Sequence, residues 1–421
     1  MKLPIYMDSL ATTPVDPRVL DKMLPYFKER FGNAASTTHP FGWDAEEAVE
    51  TARDQVADLI GAGASEIIFT SGATESNNLA IVGAARMYVD KGNHIIISET
   101  EHKAVLDPTY SLKAQGFDIT YLKVDKYGLI DPEDVRKSIT DKTILVSIMA
   151  ANNEIGTVAP IGEIGKITRE KGVLFHTDAV QAVGKIPFNV NESNVDIASL
   201  TAHKMYGPKG CGALYIRKKE PRVKLIPIIE GGGHENGMRS GTLNVPGIVG
   251  FGAACELCMN EMEDESKRLS GLREKLYFLI TGHLDEVYLN GHPEKRIPHN
   301  LNLAFRFVEG QSLLLGLKNV ALSAGSACSS KNSNASHVLM ATGIGEELAS
   351  NTVRFGIHRF TTDEEIDYVA DEVIKVVKQL RDLSPLYKEG FANNELKSFN
   401  FNTNEVYYCK IAIIAVKRIY K

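Results

Sequence analysis

The sequence has few features of a secreted or membrane-bound protein. No apolar run approaches the roughly 20 residues that a membrane-spanning helix requires, and residues 1–8 lack the apolar segment of a signal peptide. The five cysteines are odd in number and spread over 421 residues, which argues against a disulfide framework and favours a reducing compartment. These absences predict a cytoplasmic protein with free thiols and no membrane contact.

The chain also lacks a strong excess of charge of either sign. The net charge is −6, from 47 basic and 53 acidic residues, so no surface for nucleic acid is expected. Apolar residues make up 43% of the sequence, which is enough for a large core in a chain of this length. A two-domain soluble enzyme is the class that these properties favour.

Short apolar runs alternate with longer segments that have one polar face. This alternation predicts an α/β fold with a mostly parallel sheet covered by helices. A helix with Asp44 as its cap is predicted over residues 44–60, before the runs begin. The runs lie at residues 67–70, 95–98, 119–122, 144–148, 173–175 and 214–216.

A second, smaller domain is predicted in the C-terminal part of the chain. Pro246 opens a helical stretch that becomes strongly charged over residues 261–268, as expected where a helix leaves one core for another. The predicted division gives a large domain at 15–258, a small domain from 1–14 and 259–390, and a tail at 391–421. Within the small domain, Thr362 and Glu365 form a capping-box pattern at the start of an amphipathic helix.

One lysine follows a predicted strand in a turn rich in polar and small residues. The apolar run 196–201 leads into His203 and Lys204, and the run 173–177 leads into Asp178. Two such strand ends could bring an amine and a carboxylate into one crevice, an arrangement that suits pyridoxal phosphate. That cofactor takes a lysine on its aldehyde and an acid beside its ring nitrogen. The alternative is that Lys204 is an ordinary surface lysine.

Three more strand ends carry candidate groups. The loop that contains Ala73 and Thr74 could bind a phosphate at a helix N-terminus, although a capped helix start explains it equally well. His102 could stack on a flat ring or move a proton. Asn153 could bind the ring oxygen or a substrate carboxylate, and turn formation is the alternative.

The second domain contributes a thiol and a guanidinium. Cys328 lies in a run of small and polar residues, which predicts a mobile loop with an accessible, nucleophilic thiol. Arg354 closes a strand-like segment and could bind a carboxylate, with a surface arginine as the alternative. Cys255 and Cys258 have CxxC spacing, but no second cysteine pair or nearby histidine completes a zinc site, so no metal is predicted.

Over residues 3–390 the chain resembles the cysteine desulfurases, pyridoxal-phosphate enzymes of the class-V aminotransferase family. Each motif is short, but together they occur in the family's order. They are Ala-Thr-Thr-Pro at 11–14, Phe-Thr-Ser-Gly-Ala-Thr-Glu-Ser-Asn at 69–77, Thr-Glu-His at 100–102, Asn-Asn-Glu-Ile-Gly at 152–156, Asp-Ala-Val-Gln at 178–181, His-Lys-Met-Tyr-Gly-Pro-Lys-Gly at 203–210, Arg-Ser-Gly-Thr at 239–242 and Gly-Ser-Ala-Cys at 325–328. The long polar loop around Cys328 is similar to that of the housekeeping branch, which serves iron–sulfur assembly.

The resemblance implies the fold of type I pyridoxal-phosphate enzymes, with a seven-stranded sheet and a smaller α+β domain. It also implies a role for each candidate residue. Lys204 forms an imine with the cofactor, Asp178 pairs with the ring nitrogen, Gln181 binds the ring oxygen, His102 stacks on the ring, Ala73, Thr74, Thr201 and His203 lie at the phosphate, Thr242 reaches the phosphate from a second subunit, and Asn153 and Arg354 fix the substrate carboxylate.

The implied reaction converts L-cysteine to L-alanine and leaves a persulfide on Cys328, which passes sulfur to an iron–sulfur scaffold protein or another acceptor. A homodimer is implied as well, and a transient iron–sulfur cluster at Cys328 is the one metal contact expected. Gly356 and His358 depart from the family pattern near Arg354, and the tail beyond residue 390 does not resemble the family's C-terminus. A selenocysteine lyase, an aminotransferase and an idle sulfur-relay subunit are the alternatives.

Overall fold

The computed structural model describes residues 2–324, 335–385 and 387, and three sheets are formed within these residues. The strands, in chain order, are β1 Ile5–Tyr6, β2 Ile67–Thr70, β3 His94–Ser98, β4 Asp118–Leu122, β5 Thr143–Ser147, β6 Leu174–Asp178, β7 Ile197–Thr201, β8 Gly212–Ile216, β9 Val287–Leu289, β10 Asn300–Phe305, β11 Val320–Ala321, β12 Ser323–Ala324 and β13 Thr352–Gly356.

Twelve α-helices of very different lengths surround the sheets in the described part of the chain. They are α1 Pro17–Met23, α2 Pro25–Lys28, α3 Pro40–Ile60, α4 Ala73–Tyr88, α5 Lys103–Ala114, α6 Pro132–Ser138, α7 Ile161–Lys171, α8 Val245–Thr281, α9 Gly310–Gly316, α10 His337–Ala341, α11 Glu346–Ser350 and α12 Asp363–Leu383.

The large sheet has seven strands in the order β2-β8-β7-β6-β5-β3-β4, as the family resemblance implies. The strands from β7 to β4 run parallel, and β8 runs antiparallel to both of its neighbours. Alternate residues face opposite sides of the sheet: Ile96 packs in one buried cluster, and Ile95 and Ile97 pack in another. Because both faces are covered by helices, all five residues are buried in each of the strands β3, β5, β7 and β8.

A second core lies beneath a four-stranded antiparallel sheet in the order β12-β13-β10-β9. The 37-residue helix α8 connects the two cores. Its buried residues up to Cys258 belong to the core on the α3 side of the large sheet or to a small cluster with α1, and those from Leu269 onward belong to the second core. The charged segment predicted as a crossing therefore lies within one continuous helix. We keep the division into domains at 258 and 259 as a proposal.

Two predicted helix starts can be compared with the structure. The start predicted at Thr362 is confirmed, because its hydroxyl accepts from Glu365 N–H and Glu365 reaches back to Thr362 N–H. The start predicted at Asp44 is wrong. Helix α3 begins one turn earlier, at Pro40, since Nδ1 of His39 accepts a hydrogen bond from Gly42 N–H and proline at the first position needs no partner for its nitrogen.

Within the described ranges, no helix combines the length and apolar character needed to cross a membrane.

Candidate active site

A cavity of about 600 Å³ lies at the carboxyl ends of the parallel strands. This is where ligands bind in open α/β sheets, because successive strand-to-helix loops converge at that edge. Its lining includes ten of the predicted site residues: Ala73, Thr74, His102, Asn153, Asp178, Gln181, Thr201, His203, Lys204 and Arg354. Groups separated by up to 281 positions in the sequence thus share one cavity.

Lys204 lies in a short 3-10 turn, Ala202–Lys204, directly after β7. Its Nζ donates hydrogen bonds to the carbonyls of Leu10 and Ala11, the latter at 2.7 Å. The N-terminal segment also holds the turn through its backbone, because Thr13 N–H donates to the His203 carbonyl at 2.9 Å. The lysine is therefore positioned by a strand end on one side and by the start of the chain on the other.

The turn after Lys204 is stabilised by a buried cluster of charges around Tyr206. The Tyr206 ring lies between two cations, with Lys185 Nζ 3.8 Å and the Arg359 guanidinium carbon 4.0 Å from its centroid. Glu265 of α8 accepts from the Tyr206 hydroxyl at 2.7 Å and forms ion pairs with both cations. Cation–π contacts gain strength when they are removed from water. This cluster holds Tyr206 in a left-handed conformation, with φ of 66°.

Asp178 ends strand β6 and is only 5% exposed. Its Oδ2 accepts from Asn77 Nδ2 at 2.7 Å, and its Oδ1 accepts from Val180 N–H at 3.1 Å. Two hydrogen bonds to a buried carboxylate fix the direction in which it points. Gln181, one turn later, donates from Nε2 to the Leu10 carbonyl at 3.1 Å.

The part of the cavity next to the start of helix α4 is suited to an anion. Helix α4 begins at Ala73 after Gly72, which has φ of 149° and no side chain with which to cap the helix. The first-turn N–H groups, which have no partners within a helix, are therefore available to a phosphate. Thr201 and His203 line the same cavity. Burial, with the charges of Lys204 and Lys209, lowers the pKa of His203 to about 4, so this imidazole is neutral at pH 7.

His102 and Asn153 lie on loops that follow β3 and β5. His102 is the N-cap of α5, and its Nδ1 accepts from Ala104 N–H at 3.1 Å, which fixes the ring against the helix. The turn that the sequence offered as an alternative role for Asn153 is made by its neighbour. Asn152 Oδ1 accepts from the N–H groups of Glu154 and Ile155, which leaves the Asn153 side chain to line the cavity.

Arg354 is not a surface arginine, because only 1% of its area is exposed. It lies on β13, and its guanidinium donates to the Asn153 carbonyl and to Asp8 Oδ1, each at 2.9 Å. Its Nε has no hydrogen-bond partner among the described residues. Arg354 lines the cavity, and a buried guanidinium at a cavity wall suits the anionic group of a ligand.

Thr242 is the predicted site residue among the described ones that does not line the cavity, and it is exposed on the loop before α8. Cys328 lies outside the described residues. Cys255 and Cys258 are both buried in the core, and the described ranges contain no group of His, Cys, Asp or Glu side chains that could hold a metal.

Three polar residues of the site were missed by the sequence analysis. Asn77 holds Asp178, and its position one turn after Ala73 on the same helix face was a usable signal. Glu101 is fully buried next to His102. Burial raises the pKa of Glu101 well above its usual value, and the nearby charge of Asp178 raises it further. The hydrogen bond that Glu101 accepts from Met149 N–H acts in the opposite direction and lowers this pKa. Glu154 accepts from the Ser336 hydroxyl.

Glu154 gives the protein a specific dependence of stability on pH. Burial raises the pKa of Glu154 to about 7, although Ser336, Arg354 and His102 act to lower it. Because the pKa is higher in the folded protein, the protonated carboxyl stabilises the fold fully below the unfolded value near 4.5, and this contribution is lost as pH rises through 7.

We therefore expect the difference in free energy of unfolding between Glu154→Gln and the native protein to shift in favour of the variant, by about 2 kcal/mol, when the pH is raised from 5 to 8. Thermal unfolding midpoints at both pH values measure the difference. Glu192→Gln, at an exposed position, is the matched control and should show the same midpoints as the native protein at each pH. If the difference in unfolding midpoint between Glu154→Gln and the native protein were the same at both pH values, protonation of Glu154 would not be coupled to stability, contrary to this prediction.

The residues of the cavity fit a phosphorylated pyridine aldehyde. An amine, a buried carboxylate and a helix N-terminus are the three groups that such a ligand needs for its aldehyde, ring nitrogen and phosphate. The space at the phosphate end also depends on glycine. A Cβ on Gly212 would lie 2.6 Å from the Gly72 Cα, so a side chain there would displace the loop.

Comparisons with known proteins identify a family and its activity. The family described as "Aminotransferase class-V" matches residues 5–369. A cysteine desulfurase IscS from Anaeromyxobacter sp. (strain Fw109-5) is 57% identical over 403 residues, covering 95% of this chain and all of the relative. Another, from Rickettsia bellii (strain OSU 85-389), is 54% identical, covering 96% of this chain and 98% of the relative.

Solved structures agree with the sequence relatives. A NifS-like protein superposes with a TM-score of 0.84 at 38% identity, covering 90% of this chain and all of that one. A structure described as SspA in complex with cysteine superposes with a TM-score of 0.76 at 37% identity, covering 85% of this chain and all of that one.

Proposed function

Because the chain belongs to the class-V aminotransferase family and is a pyridoxal-phosphate-dependent cysteine desulfurase, we propose that Lys204 holds the cofactor by its aldehyde and Asp178 pairs with its ring nitrogen. When bound, the cofactor draws electron pairs from the substrate's α-carbon into its protonated ring. Asp178, fixed by Asn77 and the Val180 N–H, would place its carboxylate beside that nitrogen.

The remaining cavity residues hold the cofactor in one orientation. We assign Gln181 to the ring oxygen and His102 to the ring face. The phosphate is assigned to the first-turn amides of α4 at Ala73 and Thr74, and to Thr201 and His203. The helix N-terminus and a neutral imidazole suit a dianion, since both supply hydrogen bonds and neither needs to lose a proton.

Arg354 and Asn153 are assigned to the carboxylate of L-cysteine. Arg354 is buried and lines the cavity, where its guanidinium would form a charge-assisted hydrogen bond with a carboxylate. Asn153 presents its side chain on the same wall, while its carbonyl holds the guanidinium. Together they would orient the substrate with its α-hydrogen toward the Lys204 amine.

The chemistry then requires a base and a sulfur acceptor. Lys204 Nζ would act as the base and take the α-proton of the substrate. The Cys328 thiolate attacks the substrate sulfur, so a sulfur–sulfur bond forms while the substrate's carbon–sulfur bond breaks. The carbon skeleton keeps the electron pair of that bond, takes up protons and leaves as L-alanine. The net change is L-cysteine plus the enzyme thiol giving L-alanine plus the enzyme persulfide.

The observation that carries this assignment is the convergence of Lys204, Asp178 and Arg354 on one cavity. Intact mass spectrometry after incubation with L-cysteine tests it. We expect the protein to gain the mass of one sulfur atom, located on Cys328 by peptide mapping, together with one equivalent of L-alanine. Alanine without the added sulfur, or the sulfur on another cysteine, would contradict the proposed transfer.

The enzyme passes sulfur to an acceptor, and we propose that this acceptor is an iron–sulfur scaffold protein or a protein of another thiolation route in the cytoplasm. The similarity to cysteine desulfurases of two bacterial genera supports the sulfur-transfer role. To distinguish the candidate acceptors, the enzyme persulfide is mixed with each of them, and mass spectrometry shows which acceptor gains the sulfur.

A homodimer is also proposed, with Thr242 binding the cofactor phosphate of the second subunit. Its support is that Thr242 is exposed and does not line the cavity of its own chain. We expect a dimer in sedimentation experiments. We also expect Thr242→Ala to weaken cofactor binding about tenfold through the loss of a charge-assisted hydrogen bond.

The control for this substitution is Thr51→Ala, on the exposed face of α3, which should leave cofactor affinity unchanged. Equilibrium dialysis of the cofactor against each variant gives the affinities. A monomer that retains full cofactor content would contradict the role proposed for Thr242.

A further inference from the structure

The N-terminal segment at residues 8–13 contacts the site at several points, although it supplies none of the proposed catalytic groups. The Leu10 carbonyl accepts hydrogen bonds from both Gln181 and Lys204. Thr12 Oγ1 lies 3.1 Å from His203 Nδ1. A further contact is electrostatic and involves Asp8, the one acidic residue of the segment.

Asp8 is held between two strands of the small sheet. Its Oδ1 accepts from Arg354 Nη2 at 2.9 Å, and its Oδ2 accepts from the Ser323 hydroxyl at 2.7 Å. Ser323 lies opposite Arg354 in the antiparallel pairing of β12 with β13. The backbone is fixed too, since Asp8 forms a bridge with Gly356, two residues after Arg354. Both carboxylate oxygens therefore have defined partners.

From this arrangement we propose that Asp8 is a positioning residue that determines the enzyme's affinity for the substrate carboxylate through Arg354. A guanidinium is planar and offers five N–H donors, of which Asp8 and the Asn153 carbonyl occupy two. These two bonds fix the plane of the guanidinium beside the cavity that Arg354 lines. A cation held in its binding geometry loses little conformational freedom when the ligand arrives.

Asp8 also supplies the negative charge that stabilises the buried Arg354 guanidinium before the substrate carboxylate binds. An unpaired cation that is 1% exposed is strongly disfavoured, so without Asp8 the guanidinium would turn toward water or another acceptor. The substrate carboxylate would then have to draw it back before binding. The effect of removing Asp8 should therefore fall on affinity for carboxylate ligands and spare the chemical steps.

The test uses Asp8→Asn in the cofactor-loaded enzyme, and it rests on the proposed role of Arg354. We expect the KM for L-cysteine to rise about tenfold, with kcat changed less than about threefold, because asparagine keeps the shape but removes the charge. In a second measurement, the dissociation constants of L-alanine and of its methyl ester are determined from the change in cofactor absorption when each ligand binds. The dissociation constant should rise about tenfold for the acid and stay unchanged for the ester.

Three further variants separate the possible outcomes. Arg354→Gln should raise the KM for L-cysteine about a hundredfold, and a normal KM there would refute the proposed role of Arg354 itself. Asp90→Asn, at an exposed position, controls for loss of one negative charge. If Asp8→Asn does not fold, Ser323→Ala removes the hydroxyl that holds Asp8 and should raise the same constants in the same pattern.

A rise in the dissociation constants of acid and ester alike would show that Asp8 only supports the fold. Unchanged constants for both, with an effect at Arg354, would show that Arg354 needs no positioning by Asp8. Either outcome overturns the inference and leaves the desulfurase assignment standing.

Discussion

Replacing Lys204 by alanine is expected to lower alanine formation from L-cysteine by at least about 10⁴-fold. The residue serves two functions, as the covalent attachment of the cofactor and as the base for the α-proton. Its position explains why no neighbour replaces it: the turn after β7 is fixed by Tyr206 and by the N-terminal carbonyls, so the amine has one place in the cavity. Alanine production under single-turnover conditions gives the rate.

The absorption spectrum separates loss of the attachment from loss of the base. Purified Lys204→Ala should lack the yellow colour of the lysine-bound cofactor. Lys209 is the other lysine that lines the cavity, and Lys209→Ala should keep the colour. If Lys204→Ala kept the yellow colour, or if Lys209→Ala lost it, the cofactor would be attached to Lys209 instead.

Replacing Cys328 by serine is the second change with a very large expected effect. Sulfide release in the presence of a reductant should fall by at least about 10³-fold, because a serine hydroxyl is not ionised at neutral pH and cannot take over sulfur as a thiolate does. The yellow cofactor should remain, since Cys328 has no proposed contact with it. The sulfide assay and the spectrum, taken on the same preparation, give the two results.

Cys409 provides the matched control for this experiment. Like Cys328 it lies outside the described residues, and Cys409→Ser removes the same atom at a position that we assign no function. We expect Cys409→Ser to release sulfide at the native rate. The opposite pattern, with sulfide retained in Cys328→Ser and lost in Cys409→Ser, would place the transferring thiol in the tail.

Much of the site could be predicted because its residues lie at strand ends. Asp178 and Lys204 each follow a short apolar run, and adjacent parallel strands bring such ends together whatever the details of packing. His102 and Asn153 are found by the same rule. The parallel sheet therefore converts a one-dimensional pattern, an apolar run followed by a polar group, into a three-dimensional cavity.

The groups that hold these residues were harder to predict. Asp8 pairs with Arg354 across 346 positions, and Leu10 acts through its carbonyl, which every residue type possesses. Neither leaves a local pattern in the sequence. The missed start of α3 has a simpler cause, because histidine is an uncommon cap and the acidic Asp44 lay within the first turns.

The route of residues 5–13 has a consequence for the biosynthesis of the enzyme. Residues 5–8 leave the ribosome more than 300 positions before β11 and β13, with which they pair, and the Ala11 carbonyl accepts a hydrogen bond from Lys204. Such distant contacts close slowly, since the intervening chain must be ordered first. A partly synthesised chain therefore cannot have a finished cavity. Sulfur should not be mobilised until translation of the small domain is complete, which protects the growing polypeptide from its own reactive product.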